Sequence, residues 1–403
     1  MRKAKYGVTE WKVDKAFAGY TLFAPMMLVD SQIKDSGESY VFLIDMKGDI
    51  VHHWTLPGLT LMHGELLESG NLLCSFSEPG RQSPYGITHT AAKIVELDWD
   101  SNIVWEHVDP MHDDHDRARL KNGNTLYLRY VPLSAEEAAR VKGGTPGTEK
   151  SNMMFTFEMV EITPDGQEVD TLRLADILDP DIDVIIPHGV REVWPGLNSI
   201  EELDDGRIIS TSYNLSMIYI WNRKERKVDW RYGNKPNKQL SFPHDPTELA
   251  NGNILVFDNG RYYVANPDGS SAVFPPDFSR VLEIDPKTNE TVWEYRADNP
   301  VDFYSTYISS AQRLPNGNTL IDEGSTGRFF EVTPDKEIVW EYISPFYSDC
   351  DNRFAHMNAV FRIHRYPVHY PGFEGKKFDL EAEKSFNRLY GYEAMQAVNR
   401  RQV

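Results

Sequence analysis

Two patterns alternate along the whole of this chain, and that alternation restricts it to architectures assembled from repeated units. The first is an alternating apolar strand, a turn rich in Asp, Gly, Asn or Pro, and a second strand that often carries Trp. It occupies residues 41–54 (VFLIDMKGDIVHHW), 92–107 (AKIVELDWDSNIVWEH), 159–172 (MVEITPDGQEVDTL), 217–232, 281–295 and 329–342. Side chains on a strand point to opposite faces in turn, so period-two alternation around such turns predicts six antiparallel hairpins.

Between the hairpins a polar residue, often His, leads into Leu-x-x-Gly-Asn and a short apolar strand. Copies start at His63, His115, Asn198, His244 and Ser309, with a shortened one, HMNAVFRIHRY, at His356. Six four-stranded units of roughly 50 residues predict an all-β, six-bladed β-propeller, whose sheets pack radially and leave few open edges. Because the order begins with a hairpin and ends with the other strand pair, residues 358–366 are expected to close one blade with 41–54, joining the two ends of the chain.

On this reading residues 1–403 form one domain: a lead over 1–39, the propeller over about 40–372, and a tail over 373–403. Insertions fall at 131–152 and 175–197. Within the first, SAEEAARVKGG predicts a short helix capped by Ser134 and ending near Gly143. The tail segment DLEAEKSFNRLYGYEAMQAV is helical in pattern and is expected on the outside.

A hydrophobic content of 40% with 12% aromatic residues is enough for a large core. The net charge of −19 excludes nucleic acids and anionic membranes as partners, since both are bound through clustered Lys and Arg. Only Cys74 and Cys350 are present, so one bridge is conceivable and a disulfide framework is not. Residues 1–15 contain no signal-peptide core, and no apolar run reaches the ~20 residues of a membrane helix, so a cytoplasmic location is expected. Gly324-Ser325-Thr326-Gly327 lacks the following helix that phosphate binding needs, which argues against a nucleotide cofactor.

The alternation of W-E-Y hairpin ends with L-P-N-G-N-T-L strands, together with FPHDPTELANGNILVFDNGR and SRVLEIDP, resembles the bacterial arylsulfotransferase-like propeller family, over about residues 19–372. The resemblance implies a central-channel histidine that takes a sulfuryl group from a phenolic sulfate and passes it to another phenol, helped by further histidines and an arginine. By motif, His244 in FPHD and Arg261 after Phe257-Asp258-Asn259-Gly260 correspond to two of these. The third repeat has Gly196-Leu197-Asn198-Ser199 where the family tends to show His-x-Asn-Ser. The fifth has Ser309 and Ser310 where the resemblance places the carrier histidine.

Residues at one repeat position form a ring at one level of a propeller, here His63, His115, Asn198, His244, Ser309 and His356. Four converging imidazoles, His63, His115, His244 and His356, suit one divalent transition metal; they suit metal-free acid, base and anion-clamp roles equally. Taken singly, each suits a third role, capping an inner strand. The resulting expectation is a catalytic group of His244, His356, Arg261 and Tyr307. Arg261, Asn198, Ser309 and Tyr304 would then contact a small aromatic or anionic substrate.

His112-Asp113-Asp114-His115-Asp116 reads either as carboxylates that orient imidazoles or, more commonly for such a run, as a solvated acidic loop. His188 reads as a loop histidine, and Trp54, Trp105, Trp230, Trp293 and Trp340 as packing between blades. Three functions fit these residues: sulfuryl-type transfer, metal-dependent lyase or hydrolase chemistry on the same ring, and a non-catalytic propeller that binds protein through its loops. The histidine ring favours an enzyme. Oligomeric state is left open.

Overall fold

The computed structural model describes residues 5–26, 38–57, 62–76, 84–87, 89–90, 93–233, 239–260, 278–348 and 357–402. The chain is a six-bladed β-propeller of antiparallel sheets, five of four strands and one of five, and all six hairpins read from the sequence are present. Numbering blades from the repeat at His63, blade 1 comprises Gly64–Leu66, Leu72–Phe76, Lys93–Leu97 and Ile103–Val108. Blade 2 comprises His112–Arg119, Thr125–Pro132, Phe155–Ile162 and Glu168–Arg173. Blade 3 has Glu201–Glu202, Ile208–Ser212, Met217–Asn222 and Lys227–Gly233; blade 4 has Pro243–Glu248, Ile254–Asp258, Arg280–Asp285 and Glu290–Tyr295. Blade 5 is built from Ser310–Arg313, Thr319–Glu323, Arg328–Val332 and Ile338–Ile343.

Blade 6 joins the two ends of the chain, in the order Val360–Pro367, Gly19–Pro25, Glu38–Ile44, Ile50–Pro57. The expected closure therefore holds at the level of the sheet. The C-terminal strand does not pair with residues 41–54, however; it pairs with Gly19–Pro25, which then pairs with Glu38–Ile44. The stretch read as a lead supplies this strand and a second one, Gly7–Trp11, which adds a fifth strand to blade 5 alongside Ile338–Ile343. Neither carries the turn signals on which the repeat was recognised.

Two compact units divide the blades. One (Met1–Arg81, Ala92–Val108, Ile308–Val403) holds blades 5, 6 and 1; the other (Gln82–Ala91, Asp109–Tyr307) holds blades 2, 3 and 4. Within each unit the two faces of a strand pack against different neighbours. Phe42 and Ile44 join a cluster with Phe329 and Trp340 of blade 5, while Val41 and Leu43 join one with Leu72 and Val95 of blade 1. In blade 3, Ile208 and Tyr219 pack toward blade 2 and Ile209 and Ile218 toward blade 4. Burial on both faces is why VFLI and MIYIW read as continuous apolar runs.

The Leu-x-x-Gly-Asn element is a tight turn in five blades. Leu67, Leu120, Leu203, Leu249 and Leu314 each donate N–H to the carbonyl four residues on, and the intervening glycine has φ between 82 and 89°. Left-handed backbone explains the glycine. The asparagine is explained by a carboxylate on the third strand: Asn71 donates to Glu96, Asn124 to Glu161, Asn253 to Glu283 and Asn318 to Glu331. Blade 3 has Arg207 and Ile220 at the matching places, so donor and acceptor are lost together.

Tryptophans of the outer strands staple neighbouring blades. Trp340 Nε1 of blade 5 donates to the Met46 carbonyl of blade 6, Trp54 of blade 6 to the Asp98 carbonyl of blade 1, and Trp230 of blade 3 to Asn289 Oδ1 of blade 4. Trp54 and Trp340 are fully buried. Trp105, Trp230 and Trp293 are half-exposed, so the expected packing holds for them only in part, because the outermost strand has one face toward solvent. Blade 2 has no such tryptophan; Arg223 and Arg226 from the turn of blade 3 pair instead with Asp170.

In the first insertion, Ser134 caps Ala135–Arg140 in a capping box with Glu137. The tail forms Lys384–Tyr390 and Tyr392–Arg401, docked by Asn387 on the backbone of Ile50 and by Asn399 on that of Tyr6. Cys74 is buried, and Cys350 lies outside the described residues. No helix among the described residues is long and apolar enough to cross a membrane.

Blade closure generates two testable expectations. Arg365, on the C-terminal strand, is buried against Glu331 of blade 5, donates to Thr21 and lies 4.3 Å over the Trp340 ring. Glu331→Ala strands that guanidinium and should cost about 3–5 kcal/mol in urea unfolding; a loss under about 1 kcal/mol would mean the pair does not hold the closure. His52 stacks on Trp99 of blade 1 at 3.8 Å, and burial, then the charge of His53, push its pKa down from 6.5 to about 3. A histidine kept neutral in the fold contributes stability that is present above pH 6.5 and lost as pH falls toward 3. His52→Phe should therefore flatten the acid limb, retaining up to about 2 kcal/mol more than wild type at about pH 5; identical limbs would contradict this.

Candidate functional site

Within the second unit, three ring positions stand at the starts of consecutive inner strands and are tied to one another. The Asp116 carboxylate, beside His115, accepts from Ile200 N–H of blade 3, and Asn198 Nδ2 donates to the Pro243 carbonyl, beside His244, at 3.1 Å. Asn198 is 1% exposed and also accepts from the Thr211 hydroxyl. The ring position of blade 3 is thus held by an asparagine that bridges to blade 4.

His244 is 6% exposed. Its Nδ1 lies 2.7 Å from Asn259 Oδ1 and 3.1 Å from the Phe242 carbonyl. Asn259 Nδ2 donates to the Ser305 carbonyl, so Oδ1 is the accepting end of that amide. Both neighbours of Nδ1 are acceptors; Nδ1 therefore carries the hydrogen, and the lone pair of the neutral ring sits on Nε2. A bulge follows directly: His244 pairs with Phe257 but Thr247 with Leu255, and Asp245 has φ +53°. Bulges of this kind turn a strand so as to re-aim a side chain.

Blade 2 carries a larger irregularity. Arg117 pairs with Tyr127 and His112 with Arg129, so four residues, 113–116, face the single residue Leu128. Side chains that would alternate between faces are thereby gathered into one cluster. The run is no solvated loop: Asp113, Asp114, His115, Asp116 and Arg117 are all buried within a strand. The apolar blade around it excludes water, and the Asp113 and Asp116 carboxylates find donors instead.

Asp113 takes His115 Nδ1 at 3.0 Å, the His115 backbone N–H and the Tyr130 hydroxyl. Asp114 Oδ1 lies 3.3 Å from Nδ1 of His89. The His89 and His115 ring centroids are 4.4 Å apart, and Tyr213 stacks on His115 at 6.2 Å. Burial on its own would depress the His115 pKa, but the charge and hydrogen bond of Asp113, with Asp114 and Asp116, raise it to about 9. Burial would raise that of Asp114; His89 and His115 hold it below the usual carboxylate range. His112, fully buried, is pushed down to about 4.

In the first unit, His63 is 4% exposed and its ring stacks on Phe361 of blade 6 at 5.6 Å. Ser309, with φ +92°, donates N–H to the Phe361 carbonyl, and its hydroxyl accepts from Gly324 N–H. Ser310 Oγ accepts from Ile363 N–H, so both fifth-blade serines serve backbone groups. Tyr304 and Tyr307 are half-buried, with the Tyr307 carbonyl accepting from the Ser305 hydroxyl. His188 lies on the strand Ile185–Val190, half-buried, its ring 5.3 Å from that of Phe242, and is not in a loop. Arg261 and His356 lie outside the described residues.

Sequence reasoning missed His89 and Asn259. Asn259 was in view as part of Phe-Asp-Asn-Gly, whose amide proves to fix the His244 ring. His89 belongs to no repeat; it is held in place by the bridge between Thr90 and Asp113, a pairing that local sequence does not encode.

A search of curated proteins found no match. Among solved structures, a protein of unknown function from Bacteroides caccae aligns at 12% identity and TM-score 0.53, over 86% of this chain and 98% of that one. A catalytically inactive virginiamycin B lyase from Staphylococcus aureus with quinupristin aligns at 13% identity and TM-score 0.43, over 85% of this chain and 89% of the other. Hydrazine synthase from Kuenenia stuttgartiensis aligns at 10% identity and TM-score 0.43, over 73% and 71%. At such identities the first likeness speaks for the fold alone, and the other two carry no argument. The arylsulfotransferase (ASST) family matches residues 18–345, from the closing strand of blade 6 through the last strand of blade 5, and the chain belongs to that family.

Proposed function

We propose that this chain is a transferase that moves a sulfuryl group between small phenolic molecules, with His244 as the residue that carries the group. The supporting observation is the hydrogen bond from His244 Nδ1 to Asn259, which leaves the lone pair on Nε2. In the first half-reaction Nε2 attacks sulfur of an aryl sulfate; the N–S bond forms, the S–O bond to the ring breaks, and the phenolate departs with that electron pair. The imidazole ring of the adduct is cationic while Nδ1 keeps its hydrogen, opposite the negative sulfo group, and the Asn259 and Phe242 oxygens face the ring's charge. In the second, a phenol oxygen attacks sulfur, loses its proton to water, and the N–S pair returns to the ring.

Arg261 follows Asn259 by two residues and is the family-matched cation for the sulfuryl oxygens. Asn198, whose amide reaches the residue before His244, belongs to the same group, and Tyr304 and Tyr307 are assigned to the aromatic ring of the substrate. The fifth-blade serines are left out of the transfer, because their hydroxyls already serve Gly324 and Ile363.

The test is single-turnover reaction with 4-nitrophenyl sulfate followed by intact-protein and peptide mass spectrometry. A sulfuryl adduct on His244, discharged by added phenol, is expected. His244→Gln should abolish adduct and turnover, and Asn259→Ala should slow turnover by on the order of 10–100-fold with little change in KM. Undiminished turnover by His244→Gln, or no transfer from any of a panel of aryl sulfates, would contradict the proposal.

A further inference from the structure

The geometry points to a divalent transition-metal site formed by His89, Asp114 and His115, which takes one member of the histidine ring together with two residues outside it and is independent of which group His244 carries. One donor atom from each of the three lies within 4.8 Å of the other two. Two imidazoles and a carboxylate are the donor set of zinc, manganese, iron or nickel, whereas calcium and magnesium call for oxygen alone.

Three features go beyond proximity. Asp114 is 3% exposed, and its Oδ1 accepts no hydrogen bond among the described residues although His89 Nδ1 is 3.3 Å away. A separation of about 3.3 Å without hydrogen-bond alignment is the edge expected between two ligands on a tetrahedral ion with bonds near 2 Å. Next, His115 presents Nδ1 to the Asp113 carboxylate at 3.0 Å, and Asp113 is fixed in turn by the Tyr130 hydroxyl. A carboxylate behind the imidazole orients the ring and makes its other nitrogen a better ligand. Finally, Asp113, Asp114 and Asp116 are buried within four positions, and the buried cation of the same run is Arg117. With His115 in the neutral form that a metal ligand requires, two negative charges remain in excess, and a divalent ion would balance them.

The means of assembly is specific to this chain. The bulge that sets residues 113–116 against Leu128 turns Asp114 and His115 to one place, and the Thr90–Asp113 bridge brings His89 to them. Three protein ligands leave a coordination position for water or for an oxygen of an anionic substrate.

Full-length protein stripped with chelator would be dialysed against Zn²⁺ or Mn²⁺ alone and its metal counted by atomic emission; Co²⁺ would report the ligand field by its visible spectrum. About one equivalent is expected in wild type. His89→Gln and Asp114→Asn should weaken binding by at least about 10-fold and alter the cobalt spectrum, while His63→Gln and His244→Gln retain both. If Asp114→Asn does not fold, His89→Gln decides, since His89 is 29% exposed and lies outside the repeat. Absence of stoichiometric metal in wild type, or full occupancy in folded His89→Gln, overturns the proposal. Because the readout is metal content, failure here leaves the transfer reaction untouched, and failure of sulfuryl transfer leaves the site intact.

Discussion

Burial of the inner-strand starts governs this molecule. At that repeat position the described blades place a polar residue that is less than a tenth exposed: His63, His115, Asn198, His244 and Ser309. A buried polar group without a partner costs roughly 1–3 kcal/mol, and four of the five have a defined hydrogen bond. His244 holds Asn259, Asn198 holds Pro243, Ser309 holds Gly324, and His115 holds Asp113. An imidazole has two nitrogens, and one suffices for the structural task. Capping and catalysis, which look like rival readings of a histidine in a sequence, are thus compatible, because they would use opposite sides of the same ring.

Much of the fold was legible because its rules are local. A glycine at φ near 85° and an asparagine answering a glutamate two strands away recur as Gly-Asn and as the Glu of KIVEL, MVEI, VLEI and FFEV. Blade 3 shows that the two belong together, since Arg207 and Ile220 replace both. The strand Gly19–Pro25 was hidden by contrast. It lies in the middle of blade 6, between the C-terminal strand and Glu38–Ile44, where both faces are covered, and its flanks carry no turn signal. Recognition from local pattern placed the circle's closure in the right blade and one strand out of register.

The site was legible to a lesser degree. His244 followed from its motif and His115 from its place in the repeat, and the structure gives each a defined partner. The acidic run 113–116 was misjudged because alternation would put half of it in solvent, whereas three extra residues opposite Leu128 remove the alternation. His89 had no signal at all, for it depends on a long-range bridge to Asp113.

The central claim is that His244 uses Nδ1 to hold its place and Nε2 to act. It can be tested without substrate, by ¹⁵N-detected NMR of protein labelled in histidine, with His244→Gln assigning the signal. The account predicts a neutral ring protonated at Nδ1 and bare at Nε2, a preference that weakens in Asn259→Ala. A ring found in the Nε2–H tautomer, with or without Asn259, would contradict it.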